Sequence, residues 1–376
     1  MAYYSIFPQK DTTIYSNPDR DTLNTGNDEI LELIKEEGTN NNINYPSRIL
    51  IQFSNSDIQS AINKSNNFQA NLQLFSTEHK NLSSTQDIEV YPLFRTWNEG
   101  TGRFSNNPPL SDGSSWKYRD NIESKTSWLT SGFGVGSTGS ISSSLVTEGG
   151  GEWYTGSNFE VNQNLTSNTS LDINANVTPI IQKYSASLYA SQTYPNGIPN
   201  YGFILKYSDN IEANISSSNG NLKYFSVDTH TIFPPKLTFK WDDSIHSLQS
   251  LAKTNGELNV SLYRNKEEYN INEETVFRLN VRDKYPNRTF TTSSNYLNPG
   301  YFTTSSYYSI RDAHTEEIII PFDTQFTKLS ADNEGMYFKV YMNSLQPERY
   351  YRLLFKHINN DGVEIFDNDY HFKVVR

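Results

Sequence analysis

Residues 95–128 are the stretch that most limits what this chain can fold into. They contain Trp97, Trp116 and Trp128, three of the chain's five tryptophans, together with several glycines and the Pro108–Pro109 pair. Gly and Pro interrupt helices and strands, whereas large indole rings must be buried or used in binding. The stretch therefore predicts a long, ordered loop that crosses a β-sandwich.

The composition favours an all-β protein. Hydrophobic residues make up only 35% of the chain, but 25 Tyr and 21 Phe argue against disorder, because disordered chains are poor in aromatics. Aromatic residues with abundant Asn, Ser and Thr are typical of short strands joined by turns. A length of 376 residues exceeds one ordinary core, so two domains are expected.

Charge and cysteine content exclude several classes of partner. The formal net charge is −11 and no basic run occurs, which predicts that the chain binds no nucleic acid. Cysteine is absent, so disulfides and Cys-based metal sites are excluded. The first residues, MAYYSIFPQKD, lack a signal-peptide pattern, and no run of about 18 apolar residues occurs. We therefore expect that the chain does not insert into a membrane. We also expect that it assembles in a cytoplasm.

The first two-thirds of the chain alternates strand-like segments with turns. Residues 29–35 could form a short helix or a buried strand, and the strand is favoured because RILIQF at 48–53 is a second strand after an Asn-rich turn. Ile49 and Ile51, or their neighbours, are expected to be buried on one face. A short helix is predicted at 57–63 with Ser56 as its cap. Further strands are predicted at 3–16, 70–76, 87–94, 201–208, 222–229 and 234–241, and a strand leading into a helix at 171–188.

The domain boundary is predicted at the polar connector 245–256. Residues 1–244 form the first domain, with a Gly/Ser-rich flexible loop at 132–151. Residues 257–376 contain seven short strand-like segments, which is typical of an immunoglobulin-like sandwich.

The residues that could carry catalysis do not form a recognised pattern. The six histidines form no H-x-x-H motif, and no G-x-S-x-G nucleophile elbow occurs, so we predict no enzyme activity, no metal and no cofactor. Glu99 with Asp112 or Asp120 is an alternative glycosidase pair, although any acidic chain of this length has such neighbours. Three acidic groups are interpreted as solvated turn acids rather than calcium ligands: Asp19/Asp21, Asp242/Asp243 and Asp361/Asp367/Asp369.

Charged residues near the tryptophans predict a loop that is held in place by ion pairs and hydrogen bonds. Arg48, Glu99, Arg119 and Asp120 are expected to pair across it, since an unpaired charge there would be poorly solvated. The structural-loop set is Trp97, Glu99, Trp116, Arg119, Asp120, Trp128 and Arg48. The alternative is that Trp97, Trp116 and Trp128 form an exposed sugar-binding platform; burial is favoured because large aromatics are usually buried.

The order of short motifs in the first domain resembles the DNRLRE-type, carbohydrate-binding-module-96-like β-sandwich. The motifs are Asp11–Ile14 (DTTI), Ser47–Phe53 (SRILIQF), Trp97–Gly102 (WNEGTG), Asp112–Asp120 (DGSSWKYRD), Asn200–Leu205 (NYGFIL) and Pro235–Trp241 (PKLTFKW). The resemblance implies a jelly-roll-like sandwich over roughly the first 240 residues, followed by the smaller immunoglobulin-like sandwich.

The whole chain also resembles structural proteins of T4-like marine cyanophages. The stretches that carry this resemblance are IFPQKDTTIYS, EILELIKEEG and SRILIQF near the start, and SYYSIRDAHTEEIIIPFD, MYFKVYMNSLQPERYYRLLFKH and DNDYHFKVVR near the end. It implies a non-enzymatic, multi-copy or homo-oligomeric component of the virion head, neck, tail or fibre that contacts other virion proteins. Expected interface aromatics are Tyr301, Phe302, Tyr307 and Tyr308, since aromatics are enriched at interfaces. The alternative function is a carbohydrate-binding module that attaches the particle to host or environmental polysaccharide.

Overall fold

The computed structural model describes the following residues: 2–37, 43–82, 85–122, 125–128, 149–156, 158–166, 170–188, 197–214, 216, 218–246, 252–253, 257–263, 265–285 and 300–376. The predicted flexible loop at 132–151 and the connector at 245–256 lie largely outside them. The chain divides into an N-terminal unit, Ile6–Thr238, and a C-terminal unit made of Met1–Ser5 and Phe239–Arg376.

Strands dominate both units, which confirms the all-β prediction. In chain order they are β1 (Ala2–Ile6), β2 (Pro8–Tyr15), β3 (Ile30–Glu37), β4 (Asn44–Phe53), β5 (Gln69–Leu74), β6 (Ser76–Lys80), β7 (Thr85–Pro92), β8 (Tyr118–Asp120), β9 (Thr126–Ser127), β10 (Val161–Thr166), β11 (Ile173–Asn176), β12 (Phe203–Tyr207), β13 (Gly220–Phe225) and β14 (Lys236–Trp241), followed by β15 (Ala252–Lys253), β16 (Leu258–Tyr263), β17 (Glu268–Asn270), β18 (Glu274–Asp283), β19 (Tyr301–Phe302), β20 (Ser306–Asp312), β21 (Ile318–Ile320), β22 (Ser330–Asp332), β23 (Gly335–Tyr341), β24 (Arg349–Asn359) and β25 (Gly362–Val375). Helices α1 (Asn55–Ile62), α2 (Thr178–Leu188) and α3 (Asp209–Ala213) lie between strands of the N-terminal unit.

The main sheet of the N-terminal unit has the order β10-β7-β12-β4-β3-β13-β6, and β2 also pairs with β4. The antiparallel pairing of β3 with β4 confirms the strand predicted within 29–35. Leu50 in β4 lies between Thr12 of β2 and Ile204 of β12. Because β4 is internal and covered on both faces, Ile49, Leu50 and Ile51 are all fully buried, so the expectation of one buried face was wrong.

A second sheet of this unit has the order β14-β5-β11, with β5 and β11 antiparallel. The succession of β11 and α2 confirms the predicted strand and helix at 171–188. Helix α1 begins with Ser54 rather than Ser56 at its N-cap position. No helix in the described part of the chain is both long and apolar enough to span a membrane.

The C-terminal unit has an immunoglobulin-like topology. One sheet has the order β16-β18-β23-β22, and the other has the order β17-β25-β24-β20-β21. Strand β17 runs parallel to the last strand, β25, whereas β16 is antiparallel to β18. Taking the strands in chain order, these two sheets correspond to the ABED and A′GFCC′ sheets of an immunoglobulin sandwich. Apolar residues from both sheets form one core that includes Phe277, Phe338, Phe355 and Phe372.

The division between the units falls inside β14, between Thr238 and Phe239. The first residues of the chain group with the C-terminal unit, where the backbone N–H of Ser5 donates to Ser344 Oγ at 3.0 Å and Asn343 Nδ2 donates to the Tyr4 hydroxyl at 2.6 Å. The C-terminal unit is therefore built from two separate pieces of the sequence.

Candidate functional site

The three tryptophans of residues 95–128 are buried in a cluster with Trp153. Trp97, Trp116 and Trp128 are 4%, 3% and 1% exposed, and they pack with apolar side chains of β2, β4, β7 and β12. Trp97 Nε1 donates to the Tyr201 carbonyl at 3.0 Å, and Trp128 Nε1 donates to the Ser115 carbonyl at 2.9 Å. Rings held in this way are part of a core, so these three residues do not form an exposed sugar platform.

Arg48 lies at the centre of this cluster with its side chain fully buried. Its guanidinium carbon is 4.6 Å from the Trp116 ring centroid and 5.0 Å from that of Trp153. Arg48 Nε and Nη2 donate to the two carboxylate oxygens of Glu212 at 3.2 and 2.6 Å, and Nη1 donates to the Gly150 carbonyl at 2.6 Å. The two rings and the carboxylate together stabilise the positive charge of the Arg48 guanidinium, which water does not reach.

Two buried lysines extend this network, and sequence reasoning missed both. Lys206 Nζ lies 2.8 Å from Glu89, 2.7 Å from Asp209 and 4.0 Å from Glu212. Burial acts to lower the pKa of Lys206, but the nearby carboxylates outweigh it and the pKa is raised. Lys35 donates to the carbonyls of Ile211 and Asn214 at the end of α3. The short helix α3, which carries Glu212, is thus held by two cations as well as by Arg48.

The predicted pairing of Arg48, Glu99, Arg119 and Asp120 across the loop was wrong. Arg48 pairs with Glu212, whereas Arg119 Nη1 donates to the carbonyl and the hydroxyl oxygen of Thr96, both at 3.0 Å. Asp120 accepts from the backbone N–H two residues ahead, an ordinary Asx turn. Hydrogen bonds from a different residue therefore hold the loop in place.

Asn24, which the sequence analysis did not identify, holds the loop through hydrogen bonds to its backbone. Asn24 Nδ2 donates to the carbonyls of Glu99 at 2.5 Å and Ser114 at 2.9 Å, and its Oδ1 accepts from the N–H of Gly102 at 2.8 Å. A Cβ on Gly100 would lie 2.4 Å from Asn24 Oδ1, and one on Gly102 would lie 2.3 Å from the Asn24 carbonyl oxygen. Close approach to one buried amide thus explains both glycines of the W-x-E-G-T-G segment.

Glu99, the proposed catalytic carboxylate, serves as a backbone acceptor. Glu99 Oε1 accepts from the backbone N–H of Asp11 at 2.8 Å. Burial raises the pKa of Glu99 to about 7 and that of Asp11 to about 8, and burial lowers the pKa of Lys10 to about 8. Residues with strongly shifted pKa values often mark active sites. Asp11, however, is only 1% exposed and therefore cannot contact a substrate. Asp112 is also engaged, because it accepts from the N–H and hydroxyl of Thr101.

The outer part of the loop, Arg103–Ser111, is exposed and carries apolar side chains. Phe104 is 43% and Leu110 is 40% exposed, and Pro108 and Pro109 between them are also exposed. The Leu110 carbonyl accepts from the Asn24 N–H at 3.0 Å, and the Phe104 N–H donates to Asp28 Oδ2 at 3.0 Å. We call Phe104–Leu110 the apolar tip; its backbone is fixed at both ends.

The predicted interface aromatics are inside the C-terminal unit instead of on its surface. Tyr301, Phe302, Tyr307 and Tyr308 are at most 6% exposed, so their assignment to an exposed patch was wrong. Phe302 stacks on His357 with ring centroids 4.5 Å apart, and Tyr308 stacks on Phe338 at 4.4 Å. Strand β20 is internal to its sheet and faces the core, which explains the burial of its aromatic residues.

The acidic clusters have protein partners. Asp21 lies 2.6 Å from Lys117 Nζ, Asp242 accepts from the N–H and hydroxyl of Ser244, and Asp367 binds Arg352 through both carboxylate oxygens. Among the residues that the structure describes, no group of three or more His, Asp or Glu is arranged to hold a metal ion. Comparison with protein-family models and with curated proteins gave no match to this chain.

Proposed function

We propose that this chain is a non-enzymatic structural protein of a tailed-phage virion, present in several copies and acting through contacts with other virion proteins. The proposal takes its phage context from the segments near both ends that resemble cyanophage structural proteins. Two β-sandwich units that contain no cysteine fit a component that assembles in the reducing host cytoplasm.

The observation that carries the proposal is the apolar tip. Buried tryptophans and the Asn24 hydrogen bonds fix the base of the loop, while Phe104 and Leu110 remain partly exposed. The covered part of the Phe104 ring packs against Tyr15 and Arg20, which fixes its orientation. An exposed apolar group on a fixed backbone binds a partner with little loss of conformational entropy. The loop therefore suits docking into an apolar pocket of a neighbouring protein.

The other two functions lack a comparable observation. Carbohydrate binding was suggested by Trp97, Trp116 and Trp128, and burial of these rings removes that support. A glycosidase would need Glu99 and Asp112 free to reach a substrate, but both already accept hydrogen bonds from the backbone. Assembly through protein contacts is the function that the geometry favours.

The test is incorporation of a tip variant into particles. We expect Phe104→Ser combined with Leu110→Ser to lower the copy number in purified virions at least about tenfold, because burying the exposed two-fifths of each side chain contributes about 1 kcal/mol. Tyr285→Ser is the matched control, since Tyr285 is 75% exposed and lies in the C-terminal unit. Absence of the unaltered chain from purified particles would refute the virion assignment. Normal incorporation of the double variant would refute the role of the apolar tip in docking.

A further inference from the structure

A groove of about 490 Å³ opens on the C-terminal unit beside β17 and β25. The lining residues that matter here are Glu267, Glu268, Tyr350, Asp369, Tyr370 and His371. Its volume falls within the range of small-molecule sites, and neither proposed assembly contacts nor the tryptophan cluster use it.

Strand pairing places an acid and an aromatic ring in one row across this groove. Lys373 of β25 lies opposite Glu268 in the parallel pairing with β17, and opposite Tyr350 in the antiparallel pairing with β24. Tyr350 is 46% exposed, and its ring also packs against His314 with ring centroids 5.8 Å apart, so the remaining exposed part of the ring is what a ligand can reach. Residues opposite each other on neighbouring strands project to the same face, which puts Glu268 and Tyr350 on either side of Lys373.

The charge of the groove is negative. Lys373 Nζ lies 2.7 Å from Glu348 and is neutralised there, 5.9 Å from the Tyr350 ring centroid. Glu267 and Glu268 are both exposed, and neither forms an ion pair with another residue in the described ranges. The groove thus presents carboxylates beside a partly exposed tyrosine ring.

Asp369 adds a third carboxylate and is 74% exposed. Its Oδ1 is 3.7 Å from Arg352 Nε and 3.4 Å from His371 Nε2. Arg352 is already held by Asp367 and Glu316 at 2.5 Å each, so it does not cancel the charge of Asp369.

We propose that this groove binds the side chain of a lysine or arginine on another protein. The carboxylates neutralise the cation, and the Tyr350 ring attracts it through its negative face. A net charge of −11 on the whole chain further favours a basic partner. The inference is independent of the proposed function, because it concerns a different unit and holds for any partner that presents a basic side chain.

The experiment uses the full chain and saturation-transfer NMR with Nα-acetyl-L-arginine amide and Nα-acetyl-L-lysine amide. Maltotriose serves as the neutral probe for a sugar site. We expect saturation transfer to both cations, a loss of at least about threefold in 0.5 M salt, and a similar loss in Tyr350→Ala and in Glu267→Gln combined with Glu268→Gln. Tyr285→Ala and Glu317→Gln are matched controls, because both residues are exposed and do not line the groove.

Two outcomes would overturn the proposal. One is equal transfer to the cations in the double glutamine variant, with circular dichroism showing that the variant is folded. The other is transfer to maltotriose that exceeds transfer to the cations and survives removal of the carboxylates, which would make the groove a saccharide site.

Discussion

Replacing Glu212 by Gln removes the negative charge that neutralises Arg48 while keeping the size of the side chain. Arg48 is fully buried, and Glu212 is 2% exposed, so water cannot substitute for the lost carboxylate. The Gln carbonyl retains one acceptor for Arg48, whereas its NH₂ group meets a donor where the second carboxylate oxygen stood. Lys206, 4.0 Å from Glu212, also loses part of its neutralising charge.

Breaking a buried ion pair by removing one partner costs about 3–5 kcal/mol of unfolding free energy. Since one of the two hydrogen bonds at 3.2 and 2.6 Å is kept, we expect Glu212→Gln to lower the unfolding free energy by about 3 kcal/mol. With a urea dependence of about 2–3 kcal/mol per M, the midpoint falls by about 1 M or more.

Urea unfolding of the full chain followed by tryptophan fluorescence measures this change. Four of the five tryptophans, Trp97, Trp116, Trp128 and Trp153, lie in the N-terminal unit and report on it. Asp21→Asn in the same unit is the matched control, because its ion pair with Lys117 at 2.6 Å is partly exposed and contributes up to about 1 kcal/mol. A loss in Glu212→Gln no larger than in the control would refute the reasoning.

Three further predictions concern the same unit. Burial raises the folded pKa of Asp11 from 3.8 to about 8, so the contribution of Asp11 to stability is fully present below about pH 4 and is lost as the pH rises to about 8; Asp11→Asn should remove this loss from the pH profile of thermal unfolding. Gly150→Ala should cost more than about 2 kcal/mol in chemical unfolding, since φ is +80° and the new Cβ would lie 2.6 Å from Arg48 Nη1, whereas Gly156→Ala, also at a positive φ of +120°, meets nothing closer than 3.9 Å and should carry the backbone cost alone. Asn24→Ala should cost about 2–4 kcal/mol and accelerate trypsin cleavage after Arg103, and an unchanged cleavage rate would contradict its role as the loop anchor.

Local alternation predicted the strands because burial repeats every second residue, and turn residues separated them. It predicted β3 as a strand, the strand and helix at 171–188, and the sandwich class of both units. It also predicted β4 and β20 as strands, but it did not predict which of their side chains are buried, because internal strands covered on both faces lose the alternation that distinguishes inside from outside.

The partners of the charged residues could not be predicted in this way. Glu212 lies 164 positions after Arg48, in the ordinary polar segment Ser208–Asn214, and nothing near it indicates burial. Asn24 resembles any other asparagine in a turn, yet it contacts residues 75 and 90 positions away. Such pairings depend on the topology of the sheet, which spacing along the chain does not encode.

The grouping of Met1–Ser5 with the C-terminal unit has a consequence for biosynthesis. The hydrogen bonds that Tyr4 and Ser5 form with Asn343 and Ser344 each join residues 339 positions apart. During translation the first strand leaves the ribosome long before Asn343 and Ser344 are made, so these contacts form only after most of the chain has been synthesised. Closing so long a loop slows the late step, and deletion of the first five residues should impair folding at the opposite end of the polypeptide.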